Sequence, residues 1–337
     1  MLSLFNPMFS KIKNCPFCGS KNLEVVKNKD LSTNFYIEEI ISDLKISFSL
    51  LKRKLKKKKC KVCHTIFFST WFNDFIKKKI FLSIYGQHNM GWQNFHDFRN
   101  KLQTPNHGDL FKDLKKNIKF KTYGEYGCPF NGMMFDLLKE EINNKNYLKR
   151  FINLNIKNLS GKVRNFNLKN KLKRRKFSIP TIKRIYKKIF VIDSSHLIWG
   201  KNDISENCSS LALADKIFDF HLFNSDEEKL KNNKIDLFGF FMTLDHCEEP
   251  LKLLEKILTI SKYVIIHAHT NTNITAQHSY VLTKEIKFFL KKRKIFNLDI
   301  TQTIEKDPSR NKGVNYKKNE MYLLCSKNKN NIYKYKI

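Results

Sequence analysis

No apolar run in this 337-residue chain approaches the roughly 18 residues of a membrane helix. Residues 1–13 lack a long apolar core and a small-residue cleavage site, so no signal peptide is expected and a cytoplasmic protein is the expectation. Acidic residues are few, 31 against 64 basic ones, which leaves a net charge of +33. Arginine is scarcer still, 9 residues against 55 lysines. Bidentate phosphate readers favour arginine, so this charge is not by itself a nucleic-acid signature. Lys, Asn, Ile and Phe are all encoded by A/T-rich codons, and a biased genome accounts for much of the pattern. A general attraction to anionic substrates such as sugar nucleotides stays open. No internal repeat is present.

What is present is enough for about two domains. The hydrophobic fraction of 41% supports a sizeable core. Four of the eight cysteines form two pairs, Cys15-Pro-Phe-Cys18 and Cys60-Lys-Val-Cys63. Each pair can put two thiolates on one knuckle, and two knuckles supply the four soft ligands of tetrahedral zinc. Four protein ligands leave no open position, so the metal expected here is structural. Gly19 allows the turn after the first pair. His64, next to Cys63, is read as a bystander. The segment between the pairs must return to the site, with residues 34–41 and 46–51 as candidate strands or a short helix. The remaining cysteines, Cys128, Cys208, Cys247 and Cys325, are scattered.

Composition and patterning divide the chain into a cysteine module at 1–75, a mostly helical linker at 76–118, and an α/β domain at 119–329. Residues 144–188 hold 16 Lys and Arg and no acidic residue, which reads as a basic insertion. It fits a solvated excursion, a substrate lid, or a contact to nucleic acid or acidic lipid. Strands are expected at 120–125, 189–193, 216–220, 235–241, 263–267, 296–301 and 320–325. Helices are expected at 132–143, 249–259 and 285–294. Apolar strands alternating with helices predict a Rossmann-like, mostly parallel sheet with helices on both faces. The polar link 305–318 allows an antiparallel C-terminal edge, and a small zinc ribbon precedes the domain.

The segment Tyr123-Gly-Glu-Tyr-Gly-Cys-Pro-Phe-Asn-Gly132 reads as a strand end and a glycine-bearing turn that opens a helix. Glu125 stands two residues before Gly127. Such a turn at the carboxyl end of a parallel strand suits a ligand with an adenosine-like part. With Asp193 ending the next strand, Asp236 on the strand through Phe241, and Thr243-Leu-Asp-His-Cys-Glu-Glu-Pro250 after it, residues 119–327 resemble the class I S-adenosylmethionine-dependent methyltransferases. The usual glycines are interrupted, with Pro129 and Asn131 in place of the second and third and Gly132 one position late. The four-cysteine module and Tyr85-Gly-Gln-His-Asn-Met-Gly-Trp-Gln-Asn-Phe95 are similar to the zinc-binding methyltransferases of sugar and polysaccharide pathways. The sugar C-methyltransferases among them carry a further C-terminal domain, which is not expected within these 337 residues.

The resemblance implies S-adenosyl-L-methionine as cofactor. It implies that Glu125, Gly127 and Gly132 contact its methionine end or shape its cradle. Asp193 would then accept hydrogen bonds from the ribose hydroxyls, and Asn224 or Asp226 would approach the adenine. His246 would serve as general base, with His267 and His269 as competitors for that role. Each residue also has a plainer reading. Glu125 fits a turn cap, Asp193 the start of a turn with Ser194 and Ser195, His246 a structural hydrogen bond, and His88 and Trp92 packing. The expected acceptor is a small molecule, a sugar or cell-envelope precursor. The alternatives are an RNA methyltransferase with a zinc docking module, and an inactive zinc-ribbon interaction protein. Against RNA, no Asn-Pro-Pro-Tyr-like motif follows the 235–241 strand.

Overall fold

The computed structural model describes residues 8–26, 42, 45–73, 76, 108–126, 133, 137, 188–192, 219–223, 230, 232–247, 249–270, 280–302 and 320–335. In chain order the elements are β1 (Phe9–Lys11), β2 (Leu23–Val25), α1 (Phe48–Lys54), β3 (Lys57–Cys60), β4 (Ile66–Phe68), β5 (Thr70–Phe72), α2 (Gly108–Asn117), β6 (Thr122–Tyr126), β7 (Lys188–Ile192), β8 (Asp219–Phe223) and β9 (Ile235–Phe241). A 3-10 turn (Leu244–His246) follows, then α3 (Pro250–Ile260), β10 (Ser261–His269), β11 (Tyr280–Val281), α4 (Ile286–Lys292), β12 (Phe296–Asp299), β13 (Glu320–Ser326) and α5 (Lys329–Tyr333). Among the described residues, no helix is long and apolar enough to cross a membrane. The expected helix at 132–143 and the basic insertion up to residue 187 lie outside the described stretches, residues 133 and 137 aside.

The chain forms two compact units, residues 88–239 and residues 1–87 with 240–337. In the first, the strands lie in the order β9-β6-β7-β8. The β6–β7 and β7–β8 pairs are parallel, with Thr122 opposite Lys188 and Lys188 opposite Asp219. Asp236 at the start of β9 is tied to the start of β6. Its Oδ2 accepts the N–H groups of Lys121 (2.7 Å) and Thr122 (3.0 Å), and its own N–H donates to Thr122 Oγ1 (2.7 Å). Two residues on, Gly124 of β6 lies against Phe238 of β9, so the two strands run the same way. Before the sheet, Leu110, Leu114 and Ile118 are buried at four-residue intervals on and just beyond α2. That spacing puts them on one helix face.

The second unit holds the other end of β9 and the order β9-β10-β13-β12. β13 runs antiparallel to both β10 and β12, which gives the antiparallel C-terminal edge expected from the polar link. α3 connects β9 to β10 and starts with Pro250, which lacks the N–H that a first turn leaves unused. It buries Leu251, Leu253, Leu254, Ile257 and Leu258. The burial of β10 and β13 is close to continuous rather than alternating, as in a sheet covered on both faces.

The ribbon belongs to this unit. Its sheet has the order β11-β4-β3-β2, and all three pairings are antiparallel. A second pair, β1 with β5, sets Phe9 opposite Phe72. The aromatic run Phe67-Phe-Ser-Thr-Trp-Phe72 forms most of β4 and β5, and Phe68, Trp71 and Phe72 enter a core with Leu51, Leu55 and Val281. Phe68 and Trp71 stack at 5.1 Å and 8°. Each such side chain contributes roughly 1.5–3 kcal/mol by leaving water. The segment left open between strand and helix is the helix α1, capped by Ser47, whose side chain accepts the Leu50 N–H.

Gly124 has a packing reason to be glycine. A Cβ there would sit 2.3 Å from Phe238 Cδ2 and 3.3 Å from Ile235 Cδ1. Phe238 is fully buried and has no room to step aside freely. Gly124→Ala is therefore expected to destabilise the protein by about 1–3 kcal/mol through overpacking, read from urea unfolding. A loss below about 0.5 kcal/mol, the scatter of ordinary surface changes, would show that the ring is not confined.

Candidate metal centre and strand-end site

The two cysteine pairs are built to one local plan. In the first knuckle Gly19 N–H donates to Cys15 C=O and Cys15 N–H to Ser20 C=O, each at 2.9 Å. In the second, His64 N–H donates to Cys60 C=O and Cys60 N–H to Thr65 C=O, again at 2.9 Å. Both knuckles turn through a left-handed residue, Gly19 at φ +73° and His64 at φ +61°. His64 thus fills the position of Gly19. Its carbonyl accepts the hydroxyl of Thr283 at 3.1 Å.

These knuckles bring all four sulfur atoms within 4.8 Å of one another. Cys15 Sγ lies 3.5 Å from Cys63 Sγ, and Cys18 Sγ 3.6 Å from Cys60 Sγ. A tetrahedron with zinc–sulfur bonds of about 2.3 Å has edges of about 3.8 Å, so the set fits that ion. Cys15, Cys60 and Cys63 are buried and Cys18 is partly exposed. Crowding shows in their protonation. Hydrogen bonding to Cys18, and then to Cys63, holds the Cys15 thiol above the ordinary thiol range. The contact with Cys15 pushes the Cys18 thiol below it. A divalent cation would replace the shared protons. Outside the ring of sulfurs, Val62 N–H donates to Cys60 Sγ at 3.4 Å, and Thr65 Oγ1 lies 3.1 Å from Cys63 Sγ. Contacts of this kind orient thiolate ligands.

The second place of interest is the carboxyl edge of the parallel strands. Tyr126, Ile192 and Phe223 are the last residues of β6, β7 and β8 and are partners in register. The strands that lead into Gly127, Asp193 and Asn224 therefore end together on one edge. Glu125 is fully buried there. Its Oε2 accepts the hydroxyl of Tyr123 at 2.5 Å, a pairing allowed because residues two apart share a strand face. Gly127, Gly132, Asp193, Asn224 and Asp226 lie outside the described residues.

His246 closes the 3-10 turn after β9. Met242, between strand and turn, is left-handed at φ +53°, and its N–H donates to His267 C=O at 2.9 Å. The competing histidine, His267, is fully buried on β10. Its Nε2 lies 3.1 Å from Glu320 Oε2, and its ring stacks on Tyr322 at 4.0 Å. Sequence reasoning missed Gly124, Tyr280 and Thr283, and did not place His64 in the left-handed region. For His64 alone a signal existed, since Cys-x-x-Cys-His-Thr aligns with Cys-x-x-Cys-Gly-Ser.

No protein-family model matches the chain, and no curated protein matches it. Among solved structures, the N-terminal domain of EvdMO1 with SAH bound is similar at 10% identity and a TM-score of 0.37, over 67% of this chain and 82% of that one. The same domain in the presence of SAH and D-fucose gives 10% and 0.36, over 65% and 82%. A dimethyladenosine transferase from Plasmodium falciparum gives 12% and 0.31, over 68% of this chain and 64% of that one.

Two outcomes follow from the knuckle geometry. His64→Gly should keep full metal content, about one zinc per chain by elemental analysis, because glycine adopts the left-handed turn without strain. Loss of the metal in this variant would make His64 a ligand. Cys60→Ser should lose the metal and lower the unfolding midpoint. Metal binding to thiols releases protons, so the affinity should fall as pH falls. A metal affinity that does not change between pH 8 and 6, a range within about 2.5 units of a free thiol's pKa, would contradict thiolate ligation.

Proposed function

We propose that the chain is an S-adenosyl-L-methionine-dependent methyltransferase with a structural zinc ribbon, acting on a small-molecule acceptor such as a sugar or cell-envelope precursor. The observation that carries this reading is the common edge where β6, β7 and β8 end in register. The strand order adds to it. From β6 the sheet builds outward through β7 and β8, and β9 then lies on the other side of β6. In open α/β sheets such a reversal marks where ligands bind, at the carboxyl ends of the strands. The antiparallel β13 between β10 and β12 agrees with the C-terminal edge of the family that the sequence resembles.

On this reading, the carboxylate of Glu125 orders the turn through Gly127 and Gly132 that cradles the cofactor. Asp193 takes the ribose hydroxyls, and Asn224 or Asp226 approaches the adenine. Bound cofactor supplies an electrophilic sulfonium methyl, which leaves the chain chiefly the tasks of aligning the acceptor and taking its proton. His246 is preferred as the proton acceptor over His267, whose ring is buried between Tyr322 and its carboxylate partner. Four cysteine ligands give the metal no open position, so its part is structural.

A second reading, methyl transfer to RNA, is favoured by one observation. Eight of the ten residues 52–61 are Lys or Arg, and Lys52, Arg53, Lys54, Lys56 and Lys61 are exposed on the ribbon.

Calorimetry with S-adenosylhomocysteine should detect binding. Glu125→Ala and Asp193→Ala should each weaken it about tenfold or more, the loss expected for a hydrogen bond to a charged group. No binding by the intact protein would leave the inactive interaction module as the surviving reading, and unchanged affinity in both variants would sink the site. Labelled-methyl transfer to nucleotide-sugar pools, with none to total RNA, is the result expected for the small-molecule acceptor. RNA binding that falls steeply with salt would favour the second reading.

A further inference from the structure

A two-residue strand from the second half of the chain completes the ribbon, and its neighbours reach in two directions. β11 pairs with β4, Tyr280 opposite Phe67 and Val281 opposite Ile66. Thr283, just beyond it, donates its hydroxyl to the carbonyl of His64, the residue after Cys63. At the other end the buried Tyr280 turns its hydroxyl to the carbonyl of Leu244, with the carbonyl of Cys247 at 3.3 Å. Those two residues bracket the 3-10 turn that bears Asp245 and His246. The Leu244 carbonyl also accepts the Cys247 N–H that closes the turn, at 3.2 Å. Residues 280–283 are thus bonded at one end to the second cysteine knuckle and at the other to the turn after β9, and all of these residues lie in one compact unit.

From this we infer that β11 is a strap through which the metal knuckle positions the 3-10 turn, with Tyr280 as the positioning residue. Without a shared cation the four crowded thiols loosen the second knuckle. β4 and the His64 carbonyl then no longer hold Thr283 and Val281 in place, and Tyr280 loses its fixed reach to Leu244. Coupling of this kind is reciprocal: if metal binding orders the turn, loosening the turn weakens metal binding by the same factor. The catalytic consequence, a misplaced His246, rests on the methyl-transfer reading. The coupling itself does not, and S-adenosylhomocysteine calorimetry tests that reading separately.

The experiment is amide hydrogen exchange on the full chain, zinc-loaded and after chelation. Chelation should lower protection at Cys247 about tenfold or more, while Ile265 and Leu324 in β10 and β13 keep most of theirs. In Tyr280→Phe the Cys247 amide should exchange faster with metal bound and respond little to its removal, and zinc should bind about fivefold more weakly, the loss expected for one hydrogen bond. Thr283→Val cuts the other end of the strap and should give the same loss of response if Tyr280→Phe folds poorly. Unchanged Cys247 protection on chelation would overturn the inference. So would an equal loss at Ile265 and Leu324, since the metal would then hold the whole unit rather than the turn. A Tyr280→Phe protein that keeps the full metal response would assign the tyrosine to packing alone.

Discussion

Four sulfur atoms within 4.8 Å of one another, three of them on buried residues, are a costly arrangement unless a cation shares them. Much of the described ribbon follows from that constraint. Each knuckle needs a left-handed residue four places after its first cysteine, and each closes with the same pair of backbone hydrogen bonds. The two knuckles come from segments about 45 residues apart in sequence, and β2 and β3 carry them side by side. A small core of Leu51, Phe68, Trp71 and Phe72 lies in the same compact unit. The core matters to the ribbon, since the strands are only three or four residues long and so short a sheet holds poorly on its own.

The α/β sheet is organised by a different device. The carboxylate of Asp236 accepts the N–H groups of Lys121 and Thr122 and the Thr122 hydroxyl, which ties β9 to the start of β6, and Gly124 lets Phe238 settle against β6 two residues on. The Asp236 bonds lie at the amino ends of the strands, while the Gly124–Phe238 contact sits at the middle of β6, one residue before Glu125. Asp236 came to notice as a piece of a family resemblance, and in the fold it is a structural fastener.

The parts of the fold legible in the sequence are those with long apolar runs. Residues 235–241 and 263–267 read as strands because they are too apolar to be anything but buried, and they occur as β9 and the middle of β10. The helix at 249–259 shifts by a single residue to α3. The strand read at 216–220 lies three residues later, as β8, where the polar Asp219 and His221 interrupt the apolar pattern. β11 was not legible, because two residues carry no periodicity and their pairing partner is more than 200 positions away. Gly124 read only as one residue of the expected 120–125 strand until Phe238, 114 positions on, gave it a neighbour. The four cysteines were legible because ligand spacing is local chemistry. Of the acids expected at the strand ends, Glu125 lies on β6 and Asp193 falls outside the described residues.

One measurement bears most directly on the central claim. In a crystal structure of the protein grown with S-adenosylhomocysteine, the ligand should lie at the carboxyl ends of β6 and β7, with Glu125 beneath the turn that holds it and Asp193 on its ribose. A ligand bound at the amino ends near Asp236, or full occupancy of the medium with no ligand on the protein, would contradict the account.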